Sequence, residues 1–213
     1  MRIIAIDGPA GSGKSTVSRA LAERVGLEYL DTGAMYRSVT FAALRRGIDP
    51  SEVEQVARIV KNLVLEVRTD GVTVDGVDAT IEIRGPEVSR AVSAVAANPA
   101  VRAEMVRRQR AWVAARDGGV LEGRDIGTVV FPDAELKVYL TADPEVRAQR
   151  RSQEVTYLDF ATVAADLARR DALDQAREVS PLVEAHDAFL LDTTGKSVEE
   201  IIEVIVAKLG DGA

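Results

Sequence analysis

A chain of 213 residues, 46% hydrophobic and 29% charged, carries enough apolar material for one ordinary globular core. Its formal net charge of -7 argues against a generic nucleic-acid binder, which needs an excess of cations. With no cysteine and a single histidine, His186, disulfides, thiol nucleophiles, cysteine-ligated zinc and multi-histidine metal sites are excluded. Arginine outnumbers lysine 22 to 5. A GC-rich genome produces that bias by itself, so only the placement of the arginines carries meaning.

In chain order, Ile3–Ile6 reads as a buried strand and Ser15–Val25 as a helix, with Val17, Ala20, Leu21 and Val25 at helical spacing. A strand over Leu27–Leu30 and a helix over Gly33–Arg46 follow. From Leu63 to Ile83 the pattern changes. Leu63, Leu65 and Val67 alternate, then Val72 and Val74, then Val77, Ala79 and Ile81, with turn signals at Asp70-Gly71 and Asp75-Gly76. This predicts a small antiparallel meander inserted into the frame. Helical patterns return at Asn98–Ala115, Pro144–Gln153, Phe160–Ala176 and Val198–Leu209, and strand-like runs at Val120–Glu122, Leu136–Leu140 and Ala188–Leu191. Gly210-Asp211-Gly212-Ala213 is expected to fray.

Strands alternating with helices predict an α/β fold, a parallel sheet with helices on both faces and ligands at the carboxyl ends of its strands. No signal peptide is expected before Gly8, because the first strand starts almost at Met1. No apolar run reaches bilayer-spanning length, so the expected location is the cytoplasm, with no membrane partner.

The chemistry concentrates where strands end. Gly8-Pro9-Ala10-Gly11-Ser12-Gly13-Lys14-Ser15, with Thr16 beside it, matches Gly-x4-Gly-Lys-Ser between a strand and a helix. That context aims several backbone N–H groups and the positive end of a helix dipole at one anion. Lys14 can reach the β- and γ-phosphates of a nucleoside triphosphate, and the Ser15 hydroxyl can ligate Mg²⁺. The guanine-reading Asn-Lys-x-Asp element and the Leu-Ser-Gly-Gly segment of transporter motors are both absent. The length suits a kinase of a small molecule, which needs a second pocket rich in cations.

Three further segments would build that pocket: Leu30-Asp31-Thr32-Gly33-Ala34-Met35-Tyr36-Arg37, the run from Glu122-Gly123-Arg124-Asp125 through Pro132-Asp133-Ala134, and Arg170-Asp171-x-x-Asp174-x-x-Arg177. Together with the glycine loop they closely resemble bacterial-type cytidylate kinase over nearly the whole chain. The resemblance implies a P-loop kinase fold in one domain, with an inserted nucleoside monophosphate-binding region over 63–105 and a mobile lid over 147–170. It also implies ATP, Mg²⁺ and CMP or dCMP as ligands. Same-architecture kinases of another acceptor such as UMP, and a non-catalytic nucleotide-binding switch, stand as the alternatives.

By position, the resemblance assigns Thr32, Ser93, Arg102 and Asp125 to the cytosine edge. Arg37, Arg124 and Arg177 fall to the acceptor phosphate, Asp174 to the ribose hydroxyls and Arg170 to the lid. Arg147 and Arg151 would cover the ATP, with Arg150 as a third candidate. Lys14, Arg37, Arg124, Arg170 and Arg177 would form the catalytic cation set. The types make chemical sense, since a pyrimidine edge needs mixed donors and acceptors and phosphate suits forked guanidinium donors. Tyr36 would wall the nucleoside pocket or pack in the core, and Trp112 would pack. Glu122 would hold Mg²⁺ through water or serve a structural hydrogen bond. Spacing of i, i+4 and i+7 puts Arg170, Asp174 and Arg177 on one side of a helix. The lid tract Ser152 to Phe160 is shorter than is usual for the family. The fold needs no partner to complete its site, so a monomer is expected.

Overall fold

The computed structural model describes residues 1–156 and 158–210. Tyr157, within the expected lid, and 211–213, within the tail expected to fray, lie outside the described residues. In chain order the elements are β1 (Arg2–Asp7), α1 (Lys14–Val25), β2 (Tyr29–Asp31), α2 (Thr32–Arg45), α3 (Val53–Asn62), β3 (Leu65–Val67), β4 (Val72–Val74) and β5 (Val77–Asp78). After a single 3₁₀ turn at Glu82–Arg84 come α4 (Pro86–Ala97), α5 (Pro99–Ala114) and β6 (Gly118–Gly123). A π-type turn at Ile126–Val130 leads to β7 (Leu136–Thr141), α6 (Pro144–Glu154), α7 (Phe160–Gln175), β8 (Phe189–Asp192) and α8 (Val198–Gly210).

These elements form two compact units, one of Met1–Tyr29 with the chain from Arg116 onward, the other of Leu30–Ala115. The first is built on the central sheet, whose strands β6-β1-β7-β8 lie side by side in that order. β1 runs parallel to β6 and β7, and β7 parallel to β8. Ile3, Ile4, Ala5 and Ile6 are all buried, which a strand achieves only when both of its faces are covered. Ile4 and Ile6 pack with Val17 and Leu21 of α1 and with Ile201 and Ile205 of α8. β1 therefore holds its carboxyl end, and the glycine loop that follows, on a rigid base.

In the second unit β3, β4 and β5 form the antiparallel meander. Its third strand is shorter than the alternation suggests. It stops at Asp78, whose carboxylate accepts hydrogen bonds from the backbone N–H (3.0 Å) and hydroxyl (2.7 Å) of Thr80 and turns the chain, leaving Ile81 exposed. Helices α3 and α4 stand where no helix was expected. α3 buries Val56 and Val60, and α4 opens with Pro86 in its first turn and buries Val88, Val92 and Val95. A further correction concerns α7, which ends at Gln175 with Ala176 as its cap. Arg177 lies beyond the helix, and its side chain turns back to Asp174.

Candidate active site

The glycine loop is fixed by close backbone approach. Gly8 has φ +147, and a Cβ there would lie 2.1 Å from the Leu140 carbonyl oxygen of β7. At Gly11, with φ +75, a Cβ would lie 2.9 Å from the Arg147 carbonyl oxygen of α6. Only glycine fits either position, so the loop N–H groups are shaped before any anion arrives. Lys14 is buried and donates from Nζ to the Pro9 carbonyl oxygen at 2.6 Å, with Ser12 Oγ at 3.5 Å. Burial pushes its ammonium down to about 7, Arg124 and Arg170 push the same way, and Glu122 opposes them. Ser15 and Thr16 are exposed at the start of α1.

Ser15 Oγ donates to Glu122 Oε2 at 3.0 Å, and the Tyr29 hydroxyl donates to the other carboxylate oxygen. Glu122 is thus brought to the loop hydroxyl by the pairing of β6 with β1. Two residues that sequence reasoning gave no role also hold the loop. Asp171 Oδ1 accepts from the Ala10 N–H at 3.2 Å, and Thr193 Oγ1 donates to the Ser12 carbonyl oxygen at 3.1 Å. Their partners lie 161 and 181 residues away along the chain. No local spacing carries that signal.

The three arginines of α6 go to different places. Arg147 donates from Nη1 to the Ala10 carbonyl oxygen at 3.0 Å and pairs with Asp171. Arg150 bonds Thr193, through Oγ1 and the carbonyl oxygen at 2.9 Å each, and its Nη1 stands 3.5 Å from where a Cβ on Gly13 would be. Arg151 turns away to Glu154 at 2.7 Å. Arg147 and Arg150 are therefore the two brought to the glycine loop.

Two more of the predicted cations of this unit, Arg124 and Arg177, meet on Asp174. Arg124 Nε donates to its Oδ2 at 2.9 Å, and Arg177 Nη2 lies 2.7 Å from Oδ1. Burial would raise the Asp174 carboxyl, but Arg124, Arg177 and Arg170 outweigh it and hold it below the usual range. The carboxylate thereby sets the pose of two guanidiniums. Asp125 is buried where β6 passes into the π-type turn. His186, with a 95% exposed side chain, lies on the surface.

The unit of Leu30–Ala115 holds the other predicted residues. Asp31 caps α2 by accepting the Ala34 N–H at 2.8 Å, and its other oxygen takes Arg37 at 2.8 Å and Arg84 at 3.1 Å. Burial opposes ionisation of Asp31, yet Arg37 and Arg84 hold its carboxyl below the ordinary range. Arg84 was not singled out from sequence, and the 3₁₀ turn before α4 is what delivers it. Thr32, Tyr36, Ser93 and Arg102 are buried, and the Arg102 guanidinium stands 5.5 Å from the centre of the Tyr36 ring. Trp112 is half-buried on α5.

The sequence profile of the family described as "Cytidylate kinase" matches residues 4–210. The chain is 50% identical over 213 residues to the bifunctional pantoate ligase/cytidylate kinase of Synechococcus sp. (strain WH7803), a match that takes in 95% of this chain and 43% of that protein. It therefore spans less than half the length of that relative. It is 46% identical over 218 residues to the cytidylate kinase of Pelotomaculum thermopropionicum, covering 98% of this chain and 96% of that one. The solved shikimate kinase from Acinetobacter baumannii, in complex with shikimate, has a TM-score of 0.51 at 16% identity, covering 99% of this chain and 94% of that one. This is a likeness of fold, that of the P-loop kinases.

Proposed function

The chain belongs to the cytidylate kinase family, and from that membership we propose that it transfers the γ-phosphoryl group of ATP to the phosphate of CMP or dCMP, giving ADP and CDP or dCDP. The observation that carries the reading is the cluster of Arg124, Arg177 and Arg170 around the carboxylate of Asp174, two of whose guanidiniums, Arg124 and Arg170, also act on Lys14 of the glycine loop. Burial first, and then Arg124 and Arg170, push the Lys14 ammonium down to about 7 against Glu122 and Asp7, so further negative charge at the loop would favour its charged form. Two phosphorylated substrates would supply it.

In this reading the loop Gly8–Ser15 binds the β- and γ-phosphates through its N–H groups. Lys14 follows the charge of the transferring group, and Arg37, Arg124 and Arg177 orient the acceptor phosphate. Thr32, Ser93, Arg102 and Asp125 read the cytosine edge, Tyr36 walls the nucleoside, and Asp174 faces the ribose. Arg147, Arg150 and Arg170 exclude water from the ATP side. The acceptor oxygen is already an anion, so no general base is required, and the rate comes from positioning and charge neutralisation.

Mg²⁺ fits the donor set at the loop, since the Ser15 hydroxyl and the Glu122 carboxylate are hard oxygens 3.0 Å apart. Bound there with ATP, it would neutralise phosphate charge. We further assign residues 63–105 to the nucleoside monophosphate-binding region and 147–170 to the lid, and expect a cytoplasmic monomer without a nucleic-acid partner. No helix among the described residues is long and apolar enough to cross a membrane.

A coupled ADP-release assay with MgATP, offering CMP, dCMP, UMP and AMP separately, tests the reading. Turnover with CMP and dCMP and none with the others is expected. Preference for UMP or AMP would overturn the base-edge assignment, and ATP binding without turnover on any acceptor would favour a nucleotide-binding switch.

A further inference from the structure

We propose that Asp7 is a positioning residue for the acceptor side of the reaction, capping the turn Ile126–Val130 from the end of β1 and so fixing Arg124 and Asp125. The inference rests on the assignment of those two residues to the acceptor in the preceding subsection. Asp7 belongs neither to the glycine loop nor to the cation cluster, yet it is a carboxylate only 6% exposed. Its Oδ1 accepts the Ile126 N–H at 2.9 Å and its Oδ2 the Gly127 N–H at 2.8 Å.

The first N–H groups of any helical turn have no partner within the turn, and a side chain at the position before it commonly supplies one. Here that position is Asp125, and the Asp125 side chain makes no such cap. Its backbone carbonyl instead closes the turn, accepting Val129 N–H at 2.9 Å and Val130 N–H at 3.2 Å. The capping that an aspartate at this position ordinarily does for itself is done by Asp7, 119 residues earlier in the chain.

Both oxygens of Asp7 are engaged, one per N–H, so the turn is held against rotation as well as displacement. Gly127 also packs closely against β7, where a Cβ would meet the Lys137 side chain at 3.1 Å. A turn held by Asp7 and by this close packing fixes the backbone of Asp125 and, one residue before it, of Arg124. Asp7 also immediately precedes Gly8. A single residue therefore ties the start of the phosphate loop to the loop that carries Arg124 and Asp125. An apolar residue would have continued the Ile3–Ile6 run, and it could offer neither acceptor. Burial pushes the Asp7 carboxyl up to about 6 even with both amide bonds in place, Asp125 adding to the rise and Lys14 opposing it. Holding a carboxylate in this setting answers the need for two acceptors at once.

The test is the variant Asp7→Asn, which keeps the shape and one acceptor oxygen but turns an NH₂ toward the second N–H. The readouts are the KM values for ATP and for whichever acceptor the wild-type enzyme uses best, with amide hydrogen exchange at Ile126 and Gly127. The acceptor KM should rise about tenfold or more, the scale of one lost charge-assisted hydrogen bond, while the ATP KM moves by less than about threefold. Exchange at both amides should quicken. Equal rises in the two KM values, a rise confined to ATP, or unchanged amide exchange would overturn the proposal. Should Asp7→Asn fail to fold, Asp7→Glu carries both acceptors on a longer arm and is read by the same ratio and the same amides. Because the best acceptor is used, a failure of the CMP assignment changes the substrate and leaves the ratio to decide the role of Asp7.

Discussion

Two buried ionisable side chains in the unit of the central sheet are displaced toward neutrality from opposite sides. Burial lowers Lys14 to about 7 and raises Asp7 to about 6. For Asp7 the folded value lies above the ordinary 3.8, so the native state holds a proton that the unfolded chain has released. Its contribution to stability is present at low pH and is lost as pH rises from about 3.8 to about 6. Thermal melts of the wild type and Asp7→Asn at about pH 4.5 and about pH 7.5 check the sign, and the wild type should gain more over the variant at the lower pH. A constant difference would show that Asp7 does not titrate as placed. The glycine-loop residues were legible in sequence because their spacing is itself the signal. Asp7, Asp171 and Thr193 were not, because each acts on a segment more than a hundred residues away.

Among the elements, Asn98 joins three helices of the unit Leu30–Ala115. It ends α4, caps α5 by accepting the Ala100 N–H at 3.0 Å, and donates Nδ2 to the Val53 carbonyl oxygen at the start of α3 at 2.8 Å. Asn98→Ala should cost about 1–2 kcal/mol in a urea titration, one cap plus one hydrogen bond to a backbone carbonyl. Asn98→Asp, which keeps the cap and loses the bond to Val53, should fall between. A variant as stable as wild type would remove Asn98 from this role. The α3 and α4 helices differ in how legible they are in sequence. α3 was legible, since Val53, Val56, Ile59 and Val60 recur at helical spacing with Glu54, Gln55, Arg58 and Lys61 between them. α4 carries a legible start in Gly85-Pro86, but its second half, Ala91–Ala97, is only Val, Ser and Ala and has no charged face. The i, i+7 spacing that set Arg177 on a helix with Arg170 failed because α7 stops at Gln175, although Asp174 still binds Arg177 at 2.7 Å.

For the molecule as a whole, ligand binding is read as stability. MgATP at about 100 times its Kd should add about 2.7 kcal/mol to unfolding. Lys14→Ala, folded as the wild type without ligand, should show a much smaller shift and no turnover, and an undiminished shift with normal turnover would remove Lys14 from phosphate binding. The amino-acid sequence by itself determined the alternation of strands and helices, the glycine loop and the family, because apolar periodicity and a phosphate cradle are local patterns written in consecutive residues. Tertiary structure decided which side chains serve one another: Glu122 for Ser15, Asp174 for Arg124, Asp31 for Arg84, Asp7 for the turn at Ile126. Those pairings arise only when elements distant in sequence settle side by side, and hydrogen-bond distance between such residues has no counterpart in spacing along the chain.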